Sequence, residues 1–394
     1  MRVSPLCVTA FTATCAAGTG RRALADALRT RRGGLRPNDF TGTPLATWIG
    51  RVEGLEDRRL TRELAPWDCR NNRLAWHGLA QDGFRERVAA ARERYGAHRI
   101  ALVLGTSTSS IGATEEGYAR LQPDGEFPPD LRRPMVHAPH SLADFLQHAL
   151  ALEGFCATIA TACSSSAKVF SLAERLIRLG LADAAVVGGT DTLCGSVLFG
   201  FHSLGLLSPE PCRPFDSARR GLSLGEAAGF ALLERDGEGP WLLGHGESSD
   251  AHHMSSPHPD GRGARLAIVE ALASAGLDAG DVDYINLHGT ASRMNDEIEG
   301  HVVAELFPGR TLASSTKGWT GHALGAAGIV EAVITLLALQ MGIAPGTLNS
   351  SEVDPACGPQ VRLDNERREM RYASTHSFGF GGSNCVLLFA RERR

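Results

Sequence analysis

The chain has 394 residues, of which 43% are hydrophobic and only 6% aromatic, and its formal net charge is -4. This length suits two domains or one large compound fold with an aliphatic core, and the charge shows no basic footprint for nucleic acid. The nine cysteines contain no CxxC pair, so neither a disulfide framework nor a structural zinc site is indicated. Residues 1–15 lack the features of a signal peptide, and we expect a cytoplasmic protein.

Short strand-like runs alternate with helix-like runs along the chain, which predicts an α/β architecture. The clearest helix is predicted at residues 165–179, because apolar side chains recur there at helical spacing and Gly180 can end the helix. The predicted strands are residues 100–104, 156–161, 184–187, 230–233, 284–287 and 386–389.

A domain boundary is predicted at the DGEGP turn of residues 236–240, which separates two strand-like runs. It divides the chain into residues 1–238 and 239–394. Each part contains a strand that leads into a polar segment and then a helix, so two related halves are expected. Residues 107–150 resemble an insertion with proline-rich turns, which we expect to cap the site.

Residues 323–344 are almost wholly apolar and are long enough to be mistaken for a membrane span. Glu331 lies near their middle, and a charged side chain at the centre of a bilayer costs about 2.5–3.5 kcal/mol on insertion scales. The stretch also contains several glycines and lacks a basic flank. It therefore predicts a helix buried inside the protein, with no membrane span.

Residues 160–167, ATACSSSA, connect a predicted strand to the predicted helix 165–179. Cys163 stands at this junction, where the free N–H groups and dipole of a helix N-terminus favour thiolate over thiol. The small neighbouring residues leave room for a substrate carbonyl. Cys163 is therefore the candidate nucleophile, although a buried cysteine most often serves only as a small hydrophobic side chain.

Two of the fourteen histidines lie among small residues at the ends of predicted elements. His288 opens the run HGTAS after a strand, and His322 lies in TGHALGAAG before the long apolar helix. Each can donate a hydrogen bond to a thioester carbonyl or act as a base, and an ordinary loop histidine is the alternative. His252, His253 and His258 match no zinc spacing, so a structured loop is favoured there over a metal site.

Lys317 and Glu331 are fourteen residues apart across the start of the apolar helix. If Glu331 is buried it needs a partner, and Lys317 is the candidate; otherwise both are solvated charges. The glycine-rich run SFGFGGSN, residues 377–384, precedes a strand and not a helix, so it is not a dinucleotide-binding fingerprint. Its backbone N–H groups suit an oxyanion hole, and a tight turn is the alternative.

Five runs, taken in their order and spacing, resemble the β-ketoacyl synthase family of the thiolase superfamily over most of the chain. The resemblance implies a thiolase-like five-layer αβαβα fold made of two similar halves. It also implies that Cys163, His288 and His322 form the Cys-His-His set of the chain-elongating type. The runs are TACSSS at 161–166, CRPFDSARRGLSLGEAAGFALLERD at 212–236, HGTASRMND at 288–296, STKGWTGHALGAAG at 315–328 and SFGFGGSN at 377–384.

The resemblance implies further roles around this set. Lys317 and Glu331 match the supporting ion pair of the family. The N–H groups of Cys163 and Phe380 match its oxyanion hole, and the ring of Phe380 matches its gate. Other matching positions are the acidic residues behind the first histidine, the contacts to the pantetheine arm and the lining of the acyl pocket, namely Asp296, Glu299, Thr290, Ser292, Phe201 and Phe378.

The implied activity is a decarboxylative Claisen condensation of an acyl thioester with malonyl-acyl carrier protein, in fatty-acid or polyketide biosynthesis. No metal or dissociable cofactor is expected, because the 4′-phosphopantetheine of the carrier protein holds the substrates. A homodimer is expected, with a heterodimer of related subunits as the alternative. Arg132 and Arg133 are candidates for docking the acidic carrier protein.

His376, Gly318 and Trp319 depart from the usual family pattern and leave the substrate range open; they loosely resemble synthases of aryl-polyene pigments. Two other functions remain as alternatives. A chain-length-factor-like partner subunit would usually lack the nucleophile, whereas Cys163 is present. A coenzyme A-dependent thiolase would need a second cysteine where this chain has SFGFGGSN, and a Cys-His thioesterase is the related alternative.

Overall fold

The computed structural model describes residues 3–393, which form sixteen β-strands and eleven α-helices besides short 3-10 turns. The strands are β1 (Leu6–Cys15), β2 (Gly18–Thr19), β3 (Arg36–Pro37), β4 (Trp48–Gly50), β5 (Ile100–Gly105), β6 (Cys156–Ile159), β7 (Ala184–Asp191), β8 (Leu224–Gly225), β9 (Ala227–Glu234), β10 (Trp241–Ser249), β11 (Tyr284–Asn286), β12 (Leu312–Ser314), β13 (Ile343–Ala344), β14 (Glu366–Arg367), β15 (Tyr372–Gly379) and β16 (Ser383–Ala390). The helices are α1 (Gly20–Thr30), α2 (Arg70–Leu79), α3 (Phe84–Tyr95), α4 (Ile111–Ala119), α5 (Ser141–Ala149), α6 (Ser165–Arg178), α7 (Gly195–Ser203), α8 (Arg262–Ala275), α9 (Arg293–Leu306), α10 (Lys317–Thr320) and α11 (Ala327–Met341).

The main sheet consists of two halves with the same topology. Its strand order is β12-β11-β15-β16-β10-β1-β9-β7-β5-β6, and β1 meets β10 through the pairs Leu6–Leu242 and Cys7–Trp241. On each side of that junction the outer three strands are parallel and the inner two pair antiparallel. The two halves therefore repeat one another, as the resemblance implied, and the predicted domain boundary falls in the turn between β9 and β10.

The helices complete a five-layer arrangement. Helices α6 and α11 lie between the halves: α6 packs on β5, β7 and β16, and α11 packs on β9, β1 and β15. Helices α2, α3 and α5 cover the outer face of the first half, whereas α8 and α9 cover that of the second. The predicted fold, a thiolase-like five-layer αβαβα arrangement, is confirmed.

The central position of α11 explains its composition. A helix that contacts a sheet on two sides is apolar all round instead of along one stripe. By length and composition alone the stretch Leu324–Met341 is apolar enough to cross a membrane, but 89% of it is buried inside the fold. The long apolar run is thus a buried helix, as predicted.

Several strands differ in extent from the prediction. Strands β7 and β9 pair in full register from Ala184–Glu234 to Asp191–Ala227. Both strands are therefore longer than the predicted apolar runs 184–187 and 230–233. Strand β6 ends at Ile159, earlier than predicted, because the chain turns before Cys163. Strand β10 is the strand-like run expected after the DGEGP turn. Strand β15, YASTHSFG, was not predicted, because it is mostly polar and is buried by α11 and β16, which pack against it.

Candidate active site

Cys163 lies in a tight turn between β6 and α6. The preceding Ala162 has a φ of +51°, in the left-handed region, and α6 begins at Ser165. A non-glycine residue in that region costs of order 1–3 kcal/mol and persists where the surrounding structure requires it. The turn is closed by the backbone N–H of Ser165, which donates to the Ala162 carbonyl at 3.1 Å. It places Cys163 in the wall of a cavity of about 200 Å³.

The structure brings three residues from distant parts of the chain together. The sulfur of Cys163 and one ring nitrogen each of His288 and His322 all lie within 4.8 Å of one another. His322 Nε2 is 2.9 Å from Cys163 Sγ, and the two imidazole rings meet edge to face with their centroids 5.5 Å apart. One nucleophile and two imidazoles therefore face a common space.

Burial controls the protonation of this set. It lowers the pKa of His288 and of His322 well below the usual value, and the Lys317 ammonium acts in the same direction, so both rings are neutral. Burial raises the pKa of the Cys163 thiol to about 11, against the opposing effects of Lys317 and the Phe380 N–H. The helix N-terminus was expected to favour the thiolate, whereas burial acts in the opposite direction and raises the pKa of the thiol.

Lys317 and Glu331 form a buried ion pair behind the histidines; their exposed fractions are 1% and 3%. The Lys317 ammonium also donates to the carbonyl oxygen of His288, and its Nζ is 3.5 Å from His288 Nδ1. An ammonium group can only donate, so Nδ1 of His288 is the acceptor and the ring proton lies on Nε2. The tautomer of His288 is thus held by the ion pair.

Two buried carboxylates on α9 hold the loop that carries His288. Glu299 accepts the backbone N–H groups of His288 and of the next residue, both at 2.8 Å. Asp296 accepts the N–H groups of Phe215 at 2.8 Å and of Ala291 at 3.2 Å. Burial raises the pKa of Asp296 to about 7, although these N–H groups oppose the shift. Both acidic residues therefore hold the backbone around His288, and Glu299 also lies in the cavity wall.

Sequence reasoning missed several side chains that support these carboxylates. Asn295 Nδ2 donates to Asp296 at 3.2 Å and to Glu299 at 3.3 Å. Arg219 is buried with its Nε 3.7 Å from Asp296. His376, one of the departures from the family pattern, has its Nδ1 3.3 Å from Glu299 Oε1. Asn295 and Arg219 lie inside the runs that resemble the family, so their polar character within those runs was the available signal.

The wall of the cavity contains most of the predicted site residues. The ring of Phe380 stacks on that of Phe201, with centroids 5.6 Å apart and planes 14° apart. The backbone N–H of Phe380 points at the Cys163 sulfur. Asp296, Lys317 and Glu331 lie behind the wall. The predicted residues in the wall are Cys163, Phe201, His288, Thr290, Ser292, Glu299, His322, Phe378 and Phe380.

Two loops are tied together beside Phe380, and sequence reasoning missed this link. Asn384 Nδ2 donates to Asp250 Oδ1 at 2.8 Å, and the Asp250 N–H donates to the Gly382 carbonyl at 2.8 Å. Asn384 closes the run SFGFGGSN, so the motif itself was the signal. In the Asp250 loop, His253 and His258 each accept a backbone N–H two residues further on, which fits the predicted structured loop.

The segment 107–150 does not cover this cavity, and the expectation of a cap there is wrong. Its helix α5 packs on β5 and β6, and α4 packs on α7, so no residue of the segment lies in the cavity wall. Arg132 Nε donates to the Phe127 carbonyl at 2.8 Å, and Arg133 donates to the Asp68 carbonyl at 3.2 Å. Neither arginine lines the cavity, whereas Arg293 does.

Comparisons with known proteins agree with this geometry. The family description "Beta-ketoacyl synthase, N-terminal domain" matches residues 58–238, and "Beta-ketoacyl synthase, C-terminal domain" matches residues 241–351. Nodulation protein E of Rhizobium meliloti (strain 1021) is 34% identical over 304 residues, which are 74% of this chain and 75% of that protein.

3-Oxoacyl-[acyl-carrier-protein] synthase 2 of the same organism is 41% identical over 256 residues, 59% of this chain and 60% of that protein. A chain of the solved complex of a ketosynthase (ApeO) with its chain length factor (ApeC), from Xenorhabdus doucetiae, matches with a TM-score of 0.91. It is 35% identical, and the match covers 99% of this chain and 98% of that one. On these likenesses in sequence and fold, the chain belongs to the β-ketoacyl synthase family.

Proposed function

We propose that this protein joins an acyl group held on Cys163 to a malonyl group on acyl carrier protein, with loss of carbon dioxide. The protein is a β-ketoacyl synthase, a C–C bond-forming acyltransferase of fatty-acid or polyketide biosynthesis. The observation that carries the proposal is the 2.9 Å contact between His322 Nε2 and Cys163 Sγ, with His288 facing the same space.

In the first half-reaction the Cys163 sulfur attacks the carbonyl carbon of an acyl thioester. The thiol proton passes to His322 Nε2 as the S–C bond forms, and the backbone N–H groups of Cys163 and Phe380 hold the oxyanion. Collapse of the intermediate expels the pantetheine thiolate, which takes the proton from His322. Cys163 is left acylated and His322 is neutral again.

In the second half-reaction His288 and His322 donate hydrogen bonds to the thioester carbonyl of the malonyl group. Breaking of the C–C bond releases carbon dioxide and leaves an enolate on that oxygen. The enolate carbon attacks the acyl carbonyl on Cys163, and the cysteine sulfur leaves and is reprotonated. The product is a β-ketoacyl group on the carrier protein.

The two histidines are suited to these roles in different ways. Lys317 holds His288 in the form with a proton on Nε2, so His288 is a permanent donor. Nδ1 of His322 has no hydrogen-bond partner among residues 3–393, so neither tautomer of this ring is held. His322 can therefore accept a proton in the first half-reaction and donate a hydrogen bond in the second.

The proposal also covers the partners, cofactors and location of the protein. We infer that acyl carrier protein delivers both substrates and that no metal or dissociable cofactor takes part. A dimer is expected in the cytoplasm, and the exposed apolar side chain of Phe155, directly before edge strand β6, supports an interface there. The likeness to a ketosynthase solved with its chain length factor supports a related subunit as the alternative to a second copy.

The competing functions fit the site less well. A chain-length-factor-like subunit has no need of a cysteine and two histidines that converge. A thiolase needs a second cysteine at the site, but within the described part of the chain Cys163 is the only cysteine in the cavity wall. Thioesterase activity would require water to be activated beside acyl-Cys163, where the cavity wall includes the stacked apolar rings of Phe201 and Phe380.

The test is acyl capture by the full-length protein. Incubation with a series of acyl-carrier proteins, followed by intact mass spectrometry, should add one acyl mass to the wild type and none to Cys163→Ala. Cys156→Ala is the matched control, because Cys156 is a half-buried cysteine outside the cavity, and this variant should load normally. Normal loading of Cys163→Ala, or no loading together with no carbon dioxide release from malonyl-carrier protein, would contradict the proposed function.

A further inference from the structure

A second cavity, of about 260 Å³, lies in the first half of the fold, and no step of the condensation uses it. Its walls come from the start of α2, from α4 and from the residues between β7 and α7. The last two segments follow the carboxyl ends of the parallel strands β5 and β7. In open α/β sheets this is the end of the strands at which ligands bind.

Asn71 is the distinctive side chain of this cavity. Its exposed fraction is 1%, and neither the amide nitrogen nor the amide oxygen has a hydrogen-bond partner. The charged groups beside it are already paired, Arg70 with Glu226 and Arg73 with Asp68. Buried polar groups are nearly always hydrogen-bonded, so Asn71 offers a free donor and a free acceptor to a ligand. Glu115 and Arg133, in the same wall, have no ion-pair partner within residues 3–393 but are hydrogen-bonded to backbone groups, Glu115 to the Gly195 N–H and Arg133 to the Asp68 carbonyl. Because the charged groups already have partners, the ligand group expected at Asn71 is polar and uncharged.

One apolar cluster connects the two cavities. Phe40 and Leu193 lie in the wall of the second cavity, and both belong to or pack against this cluster. Phe201, Leu206 and Leu222 lie in the wall of the Cys163 cavity, and they contact the same cluster. The side chains between the two cavities are therefore apolar, which suits the body of an alkyl chain that leaves the Cys163 cavity past Phe201.

Helix α7 gives the distance between the cavities. Cys194, at its N-terminal end, lines the second cavity, and Phe201, within it, lines the first. The two residues are seven positions apart, or about 10 Å at the rise of an α-helix. This separation is within reach of a medium-length acyl chain. The two cavities are separate in the structure, so the proposal requires side chains of the intervening cluster, such as Phe201 and Leu198, to move when a chain enters.

We propose that the second cavity receives the far end of the acyl chain held on Cys163, and that Asn71 binds an uncharged polar group there. The substrate class is a medium-length or longer acyl chain whose far end carries a hydroxyl or an amide. The body of the chain lies along the apolar cluster, and its polar end hydrogen-bonds to the Asn71 amide. This inference rests on the proposed function, because it requires an acyl group on Cys163.

The test compares matched N-acetylcysteamine thioesters on the full-length protein: dodecanoyl against 12-hydroxydodecanoyl, and hexanoyl against 6-hydroxyhexanoyl. The rate of Cys163 acylation is measured by intact mass spectrometry. One additional hydrogen bond between uncharged groups corresponds to a preference of about three- to tenfold. The wild type should show this preference for the long hydroxylated chain and none within the short pair, which does not reach Asn71.

The variants Asn71→Leu and Asn71→Ala should lose the preference for the long hydroxylated ester. The alanine variant provides the test if the leucine substitution disturbs folding. Asn72→Leu is the matched control. Asn72 is equally buried, but its amide donates to the Trp67 carbonyl at 2.9 Å and it lies outside the cavity wall. This control should lower the melting temperature and keep the preference.

Equal rates for the two long esters in the wild type, or an unchanged preference in both Asn71 variants, would overturn the inference and leave the proposed function intact. Failure of the proposed function looks different. In that case no ester acylates Cys163, and malonyl-carrier protein releases no carbon dioxide.

Discussion

The ion pair of Lys317 and Glu331 should couple the stability of the fold to the geometry of the site. Lys317→Met leaves the Glu331 carboxylate buried without its cation and removes the donor to the His288 carbonyl. Loss of one partner of a buried pair costs about 3–5 kcal/mol, because the other charge stays buried. Glu331→Gln leaves the ammonium without its counter-ion, and a cost of the same order is expected.

The double variant contains neither charge, so it should be less destabilised than the sum of the two single variants by about 1–3 kcal/mol. Urea denaturation, followed by tryptophan fluorescence, measures the free energies of unfolding. Carbon dioxide release from malonyl-carrier protein measures the effect on the active site. This activity should fall because without Lys317 nothing holds the proton of His288 on Nε2. Both losses should appear in Lys317→Met.

The exposed pair Arg120–Asp130, at 3.0 Å with side chains 50% and 57% exposed, is the control. Surface pairs contribute about 0–1 kcal/mol, so its double-variant cycle should show weak coupling. If the free energies for Lys317 and Glu331 add within about 0.5 kcal/mol, the two groups act independently and the reasoning from burial is refuted.

Four further predictions concern single residues. Alkylation of Cys163 by iodoacetamide should speed up about tenfold per pH unit above neutrality, because its thiol pKa is about 11 and the thiolate reacts; a plateau near neutral pH would contradict this. His288→Ala and His322→Ala should each slow malonyl decarboxylation by about 10²–10³, but only His322→Ala should also slow acyl loading; equal loss of both steps in each variant would count against the division of roles. Phe380→Ala keeps the backbone donor but loses the ring, so decarboxylation without prior acylation should rise relative to condensation; a wild-type ratio would mean that the ring only packs. Burial raises the pKa of Asp296 from 3.8 to about 7, so its contribution to stability is full below pH 4 and is lost as the pH rises through 7; chemical denaturation at several pH values should show a flatter profile for Asp296→Asn.

The residues proposed to perform chemistry could be found before the structure, because each lies in a short run whose residues indicate a particular local structure. TACSSS joins a strand to a helix, HGTAS follows a strand, and SFGFGGSN precedes one. The apolar composition of residues 323–344 likewise predicted a helix buried inside the protein. The position of α11 between the two halves of the fold explains that composition. The alternation of strands and helices was sufficient for the fold class.

Long-range packing explains the differences between prediction and structure. The thiolate prediction for Cys163 used the helix terminus beside it, but the desolvation that raises the pKa comes from elements far along the chain, including the segment of His322. Strand β15 is polar in sequence and was missed because its neighbours, and not its own residues, bury it. Residues 107–150 follow β5 directly, yet their helices pack away from the Cys163 cavity.

The identity of the nucleophile, the two imidazoles and the glycine-rich turn follows from the amino-acid sequence, because local backbone geometry and side-chain chemistry are properties of short segments. The protonation states, the tautomer held by Lys317, the tie between Asp250 and Asn384 and the free amide of Asn71 follow only from the assembled fold. Each of these depends on how much water is excluded and on which groups approach from other strands, helices and loops. Burial and approach are set by packing between layers, and no local pattern encodes them.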